Sequence, residues 1–337
     1  MSLAERWVNA AYRGSRWLSL LRPLAALYRL ALARRRRAYV AGKKAAWRAP
    51  VPVIVAGNIT LGGTGKSPLV AWLVRWLGQR GYSPGVITRG YGGRADYPLW
   101  VTPDTPPAQS GDEPLMLAQQ TGAAVVADPC RARGVRALVD AGCDIVVSDD
   151  GLQHLALARD IELAVVDGAR GLGNGQCLPA GPLREPPERL QSVDAVLVNG
   201  PLAAPLSVAA QPMHLAPTRW RRLADGQTFA LSPLPFALPV RGVAGIGRPA
   251  RFFATLEALG VHGRWQGYAD HHRFTAEELK ADNGQALVMT AKDAVKCREL
   301  APPDSWVLDV EAVLPADFER WLAARLSALT CRRQAYG

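Results

Sequence analysis

Three groups of residues combine types and spacings that can do chemistry. The first is Thr60, Leu61, Gly62, Gly63, Thr64, Gly65, Lys66 and Ser67, set between the apolar run VPVIVA and the helical pattern LVAWLVRWL. Glycines without a Cβ let the backbone turn tightly and aim several N–H groups at one anion, which a helix N-terminus also attracts. A lysine and a hydroxyl at its end then reach the outer phosphates of a nucleotide and a magnesium ion. The pattern G-x-x-x-x-G-K-[ST] is loosened here, because its first glycine is Thr60. The second stretch is IVVSDDGLQH, residues 145–154, where Asp149 and Asp150 close an apolar run. A carboxylate at the end of such a strand is the expected partner of the P-loop hydroxyl in holding Mg²⁺, and either aspartate qualifies. The third is the pair SGDEPLML and YADHHRF. Asp112 and Glu113 open a predicted helix and offer a general base for an alcohol, whereas His271 and His272 are adjacent and diverge too far to form a matched metal pair. One histidine could orient an aspartate across a cleft.

These residues need a scaffold. Short apolar strands alternate with helical patterns from residue 51 to about 200: VPVIVA, SPGVIT, GAAVVAD, CDIVVSDD, IELAVVDG and VDAVLVNG. That alternation predicts an α/β fold, a P-loop NTPase-type, mostly parallel sheet covered by helices. Ligands in such sheets bind beyond the carboxyl ends of the strands. The rule predicts Gly57 to Ser67, Arg89 to Gly93, Asp128, Asp149 to His154 and Asp167 along one edge. Residues 200–242 are rich in proline and alanine and predict the crossing into a second, smaller α/β domain. The predicted division is an amphipathic segment over 1–50, the P-loop core over 51–220, and a smaller closing domain over 221–337.

The chain of 337 residues carries 40 Lys or Arg against 29 Asp or Glu, a net charge of +11. All of that excess sits in the first 50 residues, with twelve basic residues against Glu5. The remainder is neutral and shows no basic, aromatic-studded strands, which argues against a nucleic-acid partner. At 100° per residue Trp17, Leu20, Leu21, Leu24, Leu27, Tyr28 and Ala31 share a face, with a break expected at Pro23. A basic amphipathic helix of this kind lies on an anionic membrane surface or docks on its own core. Charges interrupt it too early for a transmembrane span, and no cleavage site follows it. Five cysteines without C-x-x-C suggest neither a disulfide framework nor a zinc site.

Taken in order, VPVIVAGNITLGGTGKSPLV, VITRGYGG, SGDEPLMLA, DPCRARG, SDDGLQH, NGQCLPAGPLREP, VAGIGRPARFF, DHHRF and TAKDAVK resemble the tetraacyldisaccharide 4′-kinase family of Gram-negative bacteria, from the N-terminal helix to about residue 297. Thr60 matches this family's own form of the P-loop, and Leu152 replaces the phenylalanine usual in DDGFQH. The resemblance implies transfer of the ATP γ-phosphate to the 4′-hydroxyl of a tetraacylated glucosamine disaccharide 1-phosphate, giving lipid IVA, with Mg²⁺ as cofactor. It also implies a peripheral position on the cytoplasmic face of the inner membrane. By the same resemblance Lys66 contacts the γ-phosphate, Asp112 is the base, and His271 orients it, with His272 as the alternative. Tyr91, Arg131, Gln153, His154, Arg184 and Glu185 fall in motifs around the nucleotide and acceptor. The competing function class is a membrane-recruited P-loop ATPase acting as a nucleotide-dependent switch, which needs neither an acceptor nor DHHRF.

Overall fold

A computed structural model describes residues 3–281 and 284–336 of the chain. Helix α1 (Leu3–Arg13), a 3₁₀ segment (Arg16–Leu21) and α2 (Arg22–Val40) come first, and Pro23 stands in the first turn of α2, where its missing N–H costs nothing. Then follow β1 (Val53–Gly57), α3 (Lys66–Gly78), β2 (Pro84–Thr88), β3 (Leu99–Val101), α4 (Pro107–Ser110), α5 (Asp112–Thr121), β4 (Ala124–Ala127), α6 (Arg131–Asp140), β5 (Ile145–Asp149), β6 (Ile161–Asp167) and β7 (Ala195–Asn199). The remainder comprises β8 (Gln211–Arg222), β9 (Thr228–Phe229), β10 (Val240–Ala244), α7 (Pro249–Ala258), β11 (Gly263–Gly267), α8 (Ala276–Leu279), β12 (Leu287–Thr290), α9 (Ala291–Cys297), β13 (Ser305–Val313) and α10 (Ala316–Tyr336).

The strands join in the order β11-β10-β12-β13-β8-β7-β6-β1-β5-β2-β4-β3, with β9 beside β8. Pairing is parallel except at β3–β4, β8–β13 and β8–β9. Strands β1, β5 and β6 are buried at every residue, which is why they read as near-continuous apolar runs. Side chains alternate across the sheet: Ile54 and Ala56 enter a core with Leu69, Leu73 and Leu117, while Val53 and Val55 enter one with Val135, Leu138 and Leu152.

The long strand β8 ties the two halves together. Gln211 to Met213 pair parallel with β7, and His214 to Arg222 pair antiparallel with β13. One core continues under both halves, from Leu69 to Val243, Met289 and Phe318. Helix α10 returns onto α3, with Phe318 against Trp72 and the Trp76 indole donating to Glu319 at 3.0 Å. The residues from 221 onward are therefore continuous with the P-loop half through a strand, a core and a helix.

Candidate active site

The turn from β1 to α3 forms the cradle. Gly62 and Gly65 adopt φ of 95° and 97°, the left-handed region where a side chain is strained. A Cβ on Gly65 would lie 2.4 Å from the Asn199 amide, which donates to the Thr64 carbonyl at 3.0 Å. From the C-terminal half the β10–α7 loop reaches over the cradle, so that a Cβ on Gly247 would lie 2.9 Å from the Gly63 nitrogen. Arg248 from this loop grips the buried Asp167 carboxylate at 2.6 and 2.7 Å, and Arg251 donates to the Asn199 side chain at 2.8 Å. Thr60 and Leu61 form the outer edge, where the Tyr12 hydroxyl of α1 donates to the Leu61 carbonyl at 2.5 Å.

At the end of β5 the two aspartates have different surroundings. Asp150, at φ 49°, accepts two 3.0 Å hydrogen bonds from Arg184 and lies 3.7 Å from Lys66 Nζ. Burial pushes its carboxyl up, but Lys66 and Arg184 outweigh that and hold it below the usual carboxylate range. Asp149 is buried, and its Oδ1 has no hydrogen-bond partner in the protein. Burial, reinforced by Glu113, pushes its carboxyl up against the pull of Lys66. A buried carboxylate oxygen without a partner, within the field of Lys66, fits a divalent cation. Asp150 has both oxygens engaged by a guanidinium.

The third cluster joins the two halves. Gly111, at φ 85°, turns the chain into α5, and a Cβ there would meet the Tyr91 carbonyl at 2.3 Å. That close approach seats Asp112 at the sheet edge. His271, itself at φ 62°, places Nδ1 3.1 Å from Asp112 Oδ2, and Tyr91 lies edge-on to the imidazole at 5.5 Å. Lys296 Nζ is 3.4 Å from the same oxygen. Burial pushes the Asp112 carboxyl up, yet the His271 hydrogen bond together with Lys296 and Lys292 holds it below the usual carboxylate range, so it is an anion at neutral pH. His272 points elsewhere: it meets Glu278 at 3.1 Å and stacks on Tyr268. The structure thus brings His271, and not His272, to Asp112.

Beyond Asp150 lies a basic wall. Arg131 is buried, with one η nitrogen donating to the Asp149 carbonyl at 2.8 Å and the other unpartnered. Burial pulls its guanidinium down to about 10, which leaves it charged. Burial, followed by Arg131, Arg159, Arg35 and Arg89, pulls His154 down to about 4, so the imidazole is neutral near pH 7. Gln153 donates to Glu185 at 2.6 Å, and Glu185 meets Arg189 at 3.2 Å, so this carboxylate is tied inward. Tyr28 of α2 donates to the Arg184 carbonyl at 2.9 Å. Helices α1 and α2 therefore touch both the cradle and the arginine wall.

The predicted apolar face, spread over the 3₁₀ segment and α2, divides. Leu21 and Tyr28 turn partly toward the protein, whereas Trp17, Leu20, Leu24 and Leu27 remain 51–82% exposed beside the solvent-facing run Arg34 to Arg37. Among the described residues no helix is long and apolar enough to cross a membrane.

A profile of the family described as tetraacyldisaccharide-1-P 4′-kinase matches residues 17–327. A tetraacyldisaccharide 4′-kinase of Azotobacter vinelandii is 50% identical over 331 residues, covering 98% of this chain and 99% of that protein. A second, from Pseudomonas paraeruginosa, is 50% identical over 334 residues and is covered completely. The chain belongs to the tetraacyldisaccharide-1-P 4′-kinase family. The crystal structure of LpxK from Aquifex aeolicus in complex with ATP superposes with a TM-score of 0.77 at 24% identity, covering 92% of this chain and 99% of that one. The α/β fold expected from the strand and helix pattern is thereby borne out.

For a member of this kinase family, four site residues escaped the reading of the sequence. Lys292 and Lys296 stand on α9, four residues apart and so on one face, both turned to the start of α5. The TAKDAVK stretch contains that spacing, but two lysines at i and i+4 on a helix ordinarily mark a solvated face. Arg248 and Asn199 sit at the carboxyl ends of a loop and a strand, where only the assembled sheet brings them to the P-loop.

Proposed function

We propose that the chain transfers the γ-phosphate of ATP to the 4′-hydroxyl of a tetraacylated glucosamine disaccharide 1-phosphate, giving lipid IVA. The observation that carries the mechanism is the anionic Asp112, held by His271 and Lys296 at the strand-end edge that bears the P-loop. The backbone N–H groups of Gly62 to Ser67 and the Lys66 ammonium receive the phosphates and neutralise charge on the group in transit. Ser67 and Asp149 are the residues that would hold Mg²⁺, and Asp150 stays with Lys66 and Arg184. When bound, the ion supplies positive charge to the phosphate oxygens.

Asp112 takes the proton of the acceptor hydroxyl as its oxygen bonds to the γ-phosphorus. The bond from that phosphorus to the bridging oxygen breaks, and its electron pair leaves on ADP. His271, donating from Nδ1, holds the carboxylate so that it faces the hydroxyl. Tyr91 is exposed and His154 and Arg184 are half-buried beyond the γ-phosphate, where the acceptor binds, with Gln153 and the buried Arg131 and Glu185 supporting them from behind.

The acceptor carries four acyl chains and stays in a bilayer. The exposed Trp17, Leu20, Leu24 and Leu27 with the arginines of α2 suit the anionic cytoplasmic surface of the inner membrane, each basic residue adding about 1 kcal/mol near such a surface. Tyr12 and Tyr28 hold the cradle and Arg184 against those helices, which keeps the transfer site close to the lipid. Incubation with Mg²⁺ and ATP, with and without acceptor in mixed micelles, tests the proposal. ADP release that depends on acceptor and disappears in Lys66→Ala supports it. ADP release indifferent to the acceptor would favour a nucleotide-dependent switch.

A further inference from the structure

Lys292 occupies a position that the transfer mechanism above leaves unexplained. It stands in the first turn of α9, and its side chain is 15% exposed. The ammonium lies 3.0 Å from Asp270 Oδ1, 3.1 Å from Glu113 Oε1 and 3.3 Å from His271 Nε2. Burial alone would pull its proton affinity down, but Glu113 and Asp270 drive it above the ordinary lysine range, so it remains an ammonium.

An ammonium has three N–H donors and no acceptor. Three groups surround this one at hydrogen-bond distance, and each must therefore accept. For the two carboxylates that is automatic. For His271 it is a constraint, because Nε2 can accept only when it carries no proton. The single ring proton then sits on Nδ1, where it faces Asp112 Oδ2 at 3.1 Å. The opposite tautomer would set two N–H donors against each other at Nε2 and two lone pairs against each other at Nδ1. An imidazolium would bring two cations together at 3.3 Å, and Asp270 Oδ1, 3.9 Å from Nε2, is too far to accept its proton.

We infer that Lys292 is a positioning residue that fixes His271 as the neutral Nδ1–H tautomer, so that the imidazole always presents a donor to Asp112. The link from this tautomer to turnover rests on Asp112 being the base. Lys292 does a second thing by the same contacts. Asp270, His271 and Lys292 come from the C-terminal half and Glu113 from the P-loop half, so the ammonium pins the histidine loop to the helix that bears Asp112. Neither role gives Lys292 any contact with the reacting atoms.

The experiment uses the full chain labelled with ¹⁵N-histidine, with His271 assigned by comparison with His271→Gln. In the wild type Nδ1 should give the signal of a protonated ring nitrogen and Nε2 that of a bare one. Lys292→Met, close to lysine in length, should let Nε2 take up a proton while Asp112 keeps the one on Nδ1, and Lys292→Arg, which keeps charge and donors, should retain the wild-type pattern. Turnover at saturating ATP should fall about ten- to a hundredfold in Lys292→Met with KM for ATP unchanged, as for other partners that orient a functional histidine. Lys292→Met added to His271→Ala should cost little more than His271→Ala alone, since the lysine acts through the ring.

A bare Nε2 in Lys292→Met, or losses that multiply in the double variant, would overturn the inference. If Asp112→Asn kept full turnover while Lys292→Met still protonated Nε2, the assignment of the base would fail and the role of Lys292 would stand.

Discussion

Replacement of Asp112 by asparagine removes the proposed base and little else. The side chain is 12% exposed and accepts the His271 hydrogen bond through Oδ2. Asparagine keeps the shape and an oxygen that accepts the same bond, so the turn at Gly111 and the packing of Tyr91 are preserved. A positioned general base is worth about 10²–10⁴ in rate, or about 3–5 kcal/mol at 1.36 kcal/mol per tenfold. The structure selects the lower end. Although burial raises the Asp112 carboxyl, His271, Lys296 and Lys292 hold it below the ordinary range, which makes it a weak base at neutral pH. Phosphoryl transfer through a loose transition state also leaves most of the proton transfer until late. The expected fall in turnover is therefore about 10²–10³. Nucleotide affinity should hold or rise, since a negative charge is lost while Lys292 and Lys296 remain. Turnover in mixed micelles and ATP affinity by calorimetry check both parts. Turnover within about tenfold of wild type, or a collapse in ATP affinity, would refute the reasoning, because Asp112 would then be a nucleotide ligand or a bystander.

Other expectations follow from the same contacts. Lys296→Met removes one of the charges that depress the Asp112 carboxyl. The base must be ionised, so the acidic limb of the turnover profile should move to higher pH. The stability that the depressed carboxyl contributes, present above the unfolded value near 3.9 and lost as pH falls through the folded one, should shrink as well. A limb that stays put, or moves down, contradicts the ion pair. Gly65→Ala forces a Cβ to within 2.4 Å of the Asn199 amide at φ 97°. It should cost about 1–3 kcal/mol in thermal unfolding and abolish ATP binding, and a variant that binds ATP normally would show that the cradle needs no glycine there. Joint replacement of Leu20, Leu24 and Leu27 by serine should weaken binding to anionic vesicles by at least about tenfold, since each leucine buried contributes about 1.5–3 kcal/mol. Activity on detergent-dispersed acceptor should be kept, and unaltered vesicle binding would place the membrane contact elsewhere.

Much of the P-loop half was legible because buried parallel strands advertise themselves. VIVAG, IVVSD and IELAVVD are apolar nearly throughout, with Ser148 and Glu162 the exceptions before the terminal aspartates, and each ends where chemistry begins. Strand β8 was not, and its prolines explain why. Pro212 lies opposite Val198 in the short pairing with β7, near the start of β8, and Pro217 beside a register irregularity opposite Asp309 and Val310, so the sequence there reads as a loop. Asp112 and His271 are 159 residues apart, and no local period could pair them. The motifs supplied the pair through resemblance, and the geometry then separated His271 from His272. Asp149 and Asp150 show the same limit: adjacent in sequence and chemically alike, they differ only in that Arg184, from a loop 34 residues on, takes one of them. The amphipathic face over the 3₁₀ segment and α2 could be read, but its division into docked Leu21 and Tyr28 and exposed Leu20, Leu24 and Leu27 depends on which side meets the Arg184 loop.

The central claim is that a phosphate leaves ATP at this P-loop and arrives on a lipid hydroxyl. Phosphorus NMR of the lipid recovered after complete reaction tests it most directly. The account predicts one new phosphomonoester on the 4′-oxygen of the non-reducing glucosamine, in step with ADP formed and absent with Lys66→Ala. ATP consumed with no new phosphorus on the lipid, or phosphate on a different hydroxyl, would contradict it.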